Sequence, residues 1–326
     1  MKKSLFIISV LLLAVTCKKD DKNEKSINTD GQSYRVKQIT EKFIFGIADV
    51  SDITYNSDKI TGIAIKRKDL FGNWKDKFKT EFTYDNDLVT SLFYNNIADK
   101  WTLTDKNVYK IVNDLVVEET YFYYEDDVLV ENDRWEYKYT DSNLIAYDWY
   151  TITDEETTLY EKGEYTYQDN KLAFFKAFQF SEYKTWTPFF IDTFLYQNNN
   201  LTGWDRYITN EDEIRFPYYS VDYTYTDNKI TEATRYSMNS ETYEMEPYYS
   251  TVYQYDENDN LTKTEDSDGY SSENIYETGK GNLWIFYPVL DPYLLNYGEP
   301  QLKSSSGKRK HIPYHERLRN WYVFRK

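Results

Sequence analysis

The chain has 326 residues, of which 19% are aromatic and 29% charged, and its formal net charge is −16. This much apolar and aromatic side chain excludes a disordered chain. The acidic balance disfavours nucleic-acid binding, because phosphates need a basic surface. Since Cys17 is the single cysteine, no internal disulfide forms. The composition favours a folded, monomeric protein with one large or two ordinary domains.

The first 16 residues have the pattern of a secretory signal peptide. Lys2 and Lys3 give a positive start, and residues 5–15 form an apolar stretch that only Ser9 interrupts. The stretch is too short to span a membrane, which takes about 20 residues. It fits the central region of an export signal. We therefore expect residues 1–16 to be removed on export.

The segment Leu13-Ala-Val-Thr-Cys17 resembles the lipobox of bacterial lipoproteins. The resemblance implies cleavage before Cys17 and lipidation of that residue, and two or more acyl chains give stable anchoring to a membrane. The alternative is a plain signal peptide followed by an unrelated cysteine. Residues 17–32 are polar and poor in aromatics after the lipobox, so we expect them to form a flexible tether.

The residues after Cys17, Lys18-Lys-Asp-Asp21, resemble the surface-export signal of Bacteroidota lipoproteins. That resemblance implies a protein in the outer membrane, facing the cell exterior. The alternative is a solvated charged linker.

A repeat occupies most of the remaining chain. Its pattern is an aromatic residue, a spacer, Tyr, a turn rich in Asp and Asn, and then Leu or Ile, as in Tyr165-Thr-Tyr-Gln-Asp-Asn-Lys-Leu172. The Tyr positions 139, 167, 196, 225 and 255 lie 28, 29, 29 and 30 residues apart, and positions 55 and 84 lie 29 apart. From 84 to 139 the spacing is 55, with degenerate copies at 109–115 and 124–128.

The repeat predicts antiparallel β-hairpins. Tyr165 and Tyr167 alternate with polar neighbours, which is the period of a strand. Asp and Asn tolerate the positive φ of tight turns, and the Leu five residues after the Tyr should lie opposite it across the hairpin. We expect an all-β antiparallel meander of roughly 16–20 strands. The sheet should curl or wrap on itself over residues 33–302, with residues 33–50 as a capping strand or short helix.

Hairpin motifs of this kind resemble YD (RHS-type) repeats. They are still more similar to a group of uncharacterised Bacteroidota lipoproteins built from related repeats. The resemblance covers residues 50–290, although the turns carry Asp-Asn-Lys or Asn-Asn-Asn where a typical YD repeat has Gly. It implies a β-hairpin repeat fold and carries no activity.

The sequence contains no pattern of residues that indicates catalysis, and we predict no catalytic residue, metal or cofactor. His311 and His315 have the spacing of helical metal ligands, but Pro313 between them disfavours a helix, so a solvated pair is the simpler reading. Residues 256–260 could supply calcium ligands, but they lack the Gly and the distal Glu of an EF-hand loop.

Three tryptophans are the candidates for ligand binding. Trp74, Trp101 and Trp186 lie 10, 8 and 10 residues before a repeat Tyr, which places them near the return turns, where exposure is common. The alternative is that the aromatic residues only pack the sheet. The basic segment 303–326 is expected to close the sheet through Trp321-Tyr-Val-Phe324, or else to dock on an acidic partner.

We therefore expect a non-catalytic surface protein that binds an extracellular glycan or protein, or that has a structural role in the envelope. The competing hypothesis is a hydrolase that acts on extracellular glycan with paired carboxylates.

Overall fold

A computed structural model describes residues 34–278 apart from 44–45, 126–127, 142, 154, 181–184, 198–199, 210–213, 228 and 258–259. The described residues form eighteen strands joined by turns. In chain order the strands are β1 (Tyr34–Lys42), β2 (Ala48–Asn56), β3 (Lys59–Lys68), β4 (Trp74–Asp85), β5 (Leu88–Ile97), β6 (Lys100–Val112), β7 (Leu115–Glu125), β8 (Val128–Thr140), β9 (Asn143–Ile152), β10 (Thr157–Gln168), β11 (Lys171–Phe180), β12 (Trp186–Gln197), β13 (Asn200–Thr209), β14 (Arg215–Thr226), β15 (Lys229–Met238), β16 (Met245–Tyr255), β17 (Leu261–Asp266) and β18 (Ser271–Thr278).

Each strand pairs in antiparallel fashion with the next strand in the chain, and β1 also pairs with β18. The sheet is therefore closed, and its first and last strands have no open edge. The predicted all-β meander is confirmed, as is the expectation that it wraps on itself. Residues 33–50 were expected to form a capping strand or a short helix, and their described part contains β1 and the start of β2. The expected closing strand at 321–324 lies outside the described residues.

The two ends of the closed sheet differ in sequence. At one end, called the motif end, lie the Asp- and Asn-rich turns of the repeat, together with the start of β1 and the finish of β18. At the other, the return end, lie the connections from each odd-numbered strand to the next even-numbered one. Both termini of the described sheet therefore leave from the motif end.

The turns at the motif end have the backbone conformation that their residues favour. Asp169 and Asn170 have φ of 50° and 58°, and Asn113 and Asp114 have φ of 51° and 59°. Two central residues with positive φ define the tight hairpin turn whose twist matches that of the flanking strands. Asp and Asn accept this conformation with less strain than other non-glycine residues. The turn prediction is confirmed at these positions.

The repeat Tyr lies opposite the repeat Leu, as predicted. Tyr167 pairs with Leu172, and the next register pair is Thr166 with Phe174, so that Ala173 is an extra, bulged residue. The same one-residue bulge occurs after Ile60, Leu201 and Ile230. A bulge bends its strand and increases the local twist, which helps a long sheet to close.

The repeat Tyr also joins most hairpins to the one before them. Main-chain pairing between β13 and β14 ends at Gly203 with Asp222, two residues beyond Leu201. The hydroxyl of Tyr225 donates to the carbonyl oxygen of Leu201 at 2.8 Å and so replaces a main-chain donor. Seven repeats share this bond: Tyr55 to Val36, Tyr84 to Ile60, Tyr139 to Val116, Tyr167 to Leu144, Tyr225 to Leu201, Tyr255 to Ile230 and Tyr276 to Leu261.

Of the two segments predicted to be degenerate copies of the repeat, the structure confirms only one. The segment 109–115 is a true copy, because its turn at Asn113 and Asp114 lies at the motif end, with Ile111 in the place of the repeat Tyr. The segment 124–128 is not a copy. It spans the end of β7 and the start of β8, so it lies at the return end. Its Tyr and acidic residues imitate the motif without occupying its position.

The inner face of the closed sheet carries the buried side chains. The repeat Leu or Ile and the first apolar residue of the motif form one continuous cluster, which includes the fully buried Leu201 and Ile230. In the β4–β5 hairpin Val89 takes the place of the repeat Leu, because Leu88 is exposed. Small residues follow toward the return end. At Gly163, for example, an added Cβ would lie 2.0 Å from Cε1 of Tyr147. The layers therefore alternate in size, as close packing in a confined interior requires.

Closer to the return end than the small residues lies a layer of acidic residues. In the sequence, each of them lies six positions before the repeat Tyr, or before Ile111 where Ile replaces that Tyr. Each of these carboxylates accepts a hydrogen bond from a side chain on the following or the preceding strand. The pairs are Asp49 with Arg67, Asp105 with Tyr121, Asp133 with Trp149 and Glu161 with Tyr147. Buried polar groups need such partners, and the layer is therefore part of the structural core.

The most deeply buried ion pair joins Arg206 to Asp192. The guanidinium of Arg206 donates from Nε to Oδ1 at 2.7 Å and from Nη2 to Oδ2 at 2.8 Å, and Asp192 is fully buried. Arg206 also lies over the ring of Phe190, 4.7 Å from its centroid. Burial raises the pKa of the Asp192 carboxyl, and the charge of Arg206 opposes that rise.

Removal of one inter-hairpin hydroxyl is expected to weaken the fold measurably. Tyr225→Phe leaves the carbonyl oxygen of Leu201 without its donor, so we expect the free energy of unfolding to fall by about 1 kcal/mol. Urea denaturation measures the loss. The control is Tyr243→Phe, because Tyr243 lies exposed in a return turn. Equal stability of the two variants would show that the hydroxyl makes no net contribution.

Removal of Arg206 is expected to destabilise the protein strongly and in a pH-dependent way. Arg206→Met leaves Asp192 buried and unpaired, at a cost of about 3–5 kcal/mol near neutral pH. Without Arg206 the folded-state pKa of Asp192 rises further above its unfolded value of about 3.9. The cost should therefore shrink as the pH falls toward that value.

Denaturation at neutral pH and about two units lower measures this dependence. Arg206→Met combined with Asp192→Leu removes both charges and should recover most of the lost stability. A pH-independent loss in the single variant would contradict the explanation.

Candidate functional site

The outer face of the sheet carries a regular series of cation–aromatic pairs, which we call the outer ladder. A basic residue on an even strand lies directly opposite an aromatic residue on the next strand. The ladder runs through four consecutive hairpins, β4 to β11, as Lys79 with Tyr94, Lys106 with Phe122, Arg134 with Tyr150, and Lys162 with Phe178. Directly opposed residues are the pairs that interact most closely in a sheet.

The cations of the outer ladder lie over aromatic rings. The charged group is 4.4 Å from the ring centroid for Lys79 over Tyr94 and 4.8 Å for Lys106 over Phe122. Arg134 lies 5.1 Å from the ring centroid of Tyr150. These distances are within the range of cation–π attraction, which contributes about 0.5–1 kcal/mol at exposed sites. Three successive rings of the ladder thus each have a positive charge close to their face.

Trp101 and Trp186 flank the outer ladder. The ammonium of Lys79 lies 5.3 Å from the Trp101 ring as well as over Tyr94. Lys162 lies 4.7 Å from the ring of Trp186, and that ring packs against Phe180 with centroids 5.3 Å apart. Trp101 is 36% exposed. Both tryptophans follow return turns, as the sequence predicted, and the ladder brings each of them to one of its ends.

Trp74 lies apart from the other two tryptophans. It is the first residue of β4, at the tip of the β3–β4 hairpin, and 47% of its surface is exposed. Trp186 begins β12, six strands beyond the strand of Trp101. The three tryptophans are therefore not one cluster, and their role in ligand binding stays a prediction.

The cations of the outer ladder differ in their acidic neighbours. Lys79 bonds Glu81 at 2.6 Å, and Arg134 lies 3.6 Å from Glu136. Among the described residues, no carboxylate forms a salt bridge with Lys106 or Lys162. Those two lysines therefore have charge available for an anionic ligand.

The ladder tyrosines stay protonated at neutral pH. Partial burial raises the pKa of the Tyr94 hydroxyl, and the negative charge of Glu81 raises it further. Burial and the charges of Glu136 and Asp148 raise the pKa of Tyr150. A protonated hydroxyl can both donate and accept hydrogen bonds.

Beyond β11 the aromatic positions continue, but the cations do not. Tyr207 and Tyr236 lie opposite Ile191 and Ser220. Ile191 and Ser220 thus take the positions of the cations, and the carboxylates of Asp205 and Asp222 lie on the same part of the outer face. Burial raises the pKa of Asp205, and the nearby charge of Asp222 raises it further. The outer face therefore has a basic aromatic part and an acidic aromatic part.

No protein-family model matches the chain, and no curated protein does either. Among solved structures, a protein of unknown function from Bacteroides fragilis is 13% identical, with a TM-score of 0.23, over 43% of this chain and 87% of the other. A porin-like protein from Bacteroides vulgatus is 11% identical, with a TM-score of 0.39, over 74% and 98%. TcdB2-TccC3-TEV is 11% identical, with a TM-score of 0.25, over 78% and 16%.

Several sequence hypotheses concern residues other than the ladder. Cys17, His311 and His315 lie outside the described residues. Within the described part of the chain, no three His, Cys, Asp or Glu side chains are placed to hold a metal ion. At the segment considered for calcium, Asp256 accepts hydrogen bonds from the main-chain and side-chain nitrogens of Asn260, at 2.9 and 3.0 Å. This carboxylate stabilises its own turn.

In the part of the chain that the structure describes, no helix has the length and apolar character needed to cross a membrane.

The outer ladder was not predicted from the sequence, although a signal for it exists. Each ladder cation lies five residues before the repeat Tyr or its replacement, at positions 79, 106, 134 and 162. An odd offset from the inward-facing Tyr places a residue on the outer face. The ladder aromatics recur at 94, 122, 150 and 178, an interval of 28. These residues could have been identified from the alternation, once Tyr was assigned to the inner face.

Proposed function

We propose that the protein is a lipid-anchored cell-surface repeat protein whose outer ladder binds an acidic extracellular glycan without catalysis. The observation that carries the proposal is the in-register repetition of one cation and one aromatic ring over four hairpins. Aromatic faces can stack on sugar rings, and lysine and arginine can pair with carboxylate or sulfate groups.

The spacing of the outer ladder suits a ligand with its own repeat. Successive aromatic residues lie on every second strand, which places them roughly 9.5 Å apart across the sheet. An extended polysaccharide presents similar units at regular intervals, so one chain could contact several rungs at once. Several weak contacts made together give a much higher affinity than any single contact.

A charged groove for a small molecule would need converging polar groups in a concave site. The ladder is instead an open face of a sheet, which favours a long ligand over a compact one. Two alternatives are a protein ligand and a purely structural role in the envelope. Measurement of polysaccharide binding distinguishes them from the glycan proposal.

The hydrolase hypothesis has one observation in its favour. Asp205 has a raised pKa beside a second carboxylate, Asp222, and glycosidases use an acid of this kind with a carboxylate partner. Incubation of the protein with the bound polysaccharide tests the hypothesis. Shortened products that disappear with Asp205→Asn would replace the non-catalytic proposal by an enzymatic one.

Neutralisation of the two lysines without acidic partners is expected to weaken glycan binding. Lys106→Gln with Lys162→Gln should raise the Kd for an acidic polysaccharide by on the order of tenfold, and added salt should reduce the difference. Calorimetry with acidic and neutral polysaccharides measures both effects. The control is Lys110→Gln, an exposed lysine on the same strand as Lys106.

Trp101→Ala and Trp186→Ala should weaken the same binding, because each ring flanks the ladder. Equal capture of neutral and acidic polysaccharides, or binding that none of these substitutions changes, would reject the ladder as the site. Capture of a protein in place of any glycan would assign the face to protein recognition.

The anchor is tested separately. Cys17→Ser removes the proposed acceptor of the lipid, so the protein should lose labelling with palmitate and should leave the membrane fraction. Protease added to intact cells should digest the anchored wild-type protein if it faces outward. Unchanged fractionation of the Cys17→Ser variant would contradict lipid anchoring.

A further inference from the structure

The β3–β4 hairpin differs in charge from the acidic protein around it. Between residues 66 and 77 there are five basic residues and two acidic ones, while the whole chain carries −16. Arg67 is engaged with Asp49 through two hydrogen bonds on the inner face. Lys66 and Lys75 are exposed at the flanks. The hairpin is thus a local cationic projection at the return end.

The tip of this hairpin presents two apolar side chains to solvent. Phe71 is 90% exposed and Leu70 is 65% exposed. The tip is well ordered by its own bonds, because Oδ1 of Asp69 accepts from the main-chain nitrogens of Phe71 and Asn73, both at 2.9 Å. Gly72 supplies the positive φ, 86°, that the turn requires. A fixed turn therefore holds Leu70 and Phe71 away from the sheet.

The residues of the hairpin are layered by polarity. Leu70 and Phe71 form the tip, Lys68 pairs with Trp74 below them, and Arg67 pairs with Lys75 one step further down. Lys66 lies two residues below Lys68, roughly 7 Å along the strand. Apolar groups that enter a bilayer surface descend about 5–10 Å, with indole rings at the headgroup level. At this depth of insertion, the lysines below the tip would lie level with the lipid phosphates and could pair with them.

Two return turns that each carry a pair of glutamates are far from this hairpin. The β9–β10 turn carries Glu155 and Glu156, and the β15–β16 turn carries Glu241 and Glu244. In the closed ring of eighteen strands, each of these turns is six strands away from the β3–β4 turn. The next return turn along the chain, β5–β6, carries Asp99 next to Lys100, so its charges balance. The hairpin can therefore approach a negative surface at a tilt that keeps the paired glutamates away from it.

We propose that the β3–β4 hairpin, residues 66–77, is a docking element for an anionic lipid surface. Leu70 and Phe71 enter the outer edge of the bilayer, Trp74 lies at the interface, and Lys66, Lys75 and Lys77 contact the headgroups. A glycan suits the tip less well, since Leu and Phe offer no hydrogen bond to its hydroxyls. The proposal is independent of the outer ladder and of the lipid on Cys17.

The test uses residues 18–326, which carry no lipid, and sedimentation with vesicles of phosphatidylglycerol and phosphatidylcholine. Lys66→Gln, Lys75→Gln and Lys77→Gln together should weaken partitioning by on the order of 100-fold, because each lysine near an anionic surface contributes about fivefold. Leu70→Ser with Phe71→Ser should weaken it by at least tenfold or so, through the lost apolar contact. Pure phosphatidylcholine vesicles should capture little protein.

The matched controls are Lys110→Gln, for a lysine elsewhere on the surface, and Tyr243→Ser, for an exposed aromatic at another return turn. Both should partition like the parent chain, and circular dichroism checks that every variant keeps its strands. Unchanged partitioning of both hairpin variants would overturn the proposal and would assign any lipid binding to another basic segment, such as residues 303–326. If partitioning to vesicles fell in the lysine variant but not in the Leu70→Ser, Phe71→Ser variant, insertion of the tip into the bilayer would be contradicted.

Discussion

In seven repeats, a single carbonyl oxygen links neighbouring hairpins through a tyrosine hydroxyl. The bulge after the repeat Leu or Ile ends the main-chain pairing with the next hairpin two residues early, as between β13 and β14. The hydroxyl of the next repeat Tyr donates to that carbonyl. A buried carbonyl without a donor would cost about as much as a lost hydrogen bond. The spacing of 28 to 30 residues is therefore the length of chain that returns a tyrosine to the same place on the following hairpin.

This constraint also explains the closure of the sheet. The first junction uses Tyr55 and Val36, and the last uses Tyr276 and Leu261. Strands β1 and β18 thus take part in the same bonding pattern as the internal hairpins, although β1 precedes the first recognisable motif. Bulges occur at most motifs, although not in the β4–β5 hairpin, and a bulge bends its strand and increases the local twist. The repeated distortion therefore favours a sheet that curls on itself.

Much of the fold could be predicted because the motif encodes the turn, the strand period and the Tyr–Leu pair in a few residues. The sequence also predicted that the sheet wraps on itself, but not that β1 pairs with β18, since these two strands lack a complete motif and lie far apart in the chain. The copy at 109–115 was identified although Ile111 stands in place of the repeat Tyr, whereas 124–128 was wrongly counted as a copy because its Tyr and acidic residues imitate the motif. Of the site, Trp101 and Trp186 were predicted from their position near turns, whereas Lys106 and Lys162 were missed. Lysines on a strand look like solvated surface until the facing rings are known.

The double pairing of β1 affects how the protein would respond to a pulling force. Residue 34 begins a strand that is hydrogen-bonded on both sides, to β2 and to β18, with antiparallel register over most of its length. Tension applied from the N-terminal side runs along the axis of that strand. It would therefore load the β1–β2 and β1–β18 hydrogen bonds in shear together, so that these bonds could not break one at a time. A fold of this kind gives the sheet a mechanically resistant first strand.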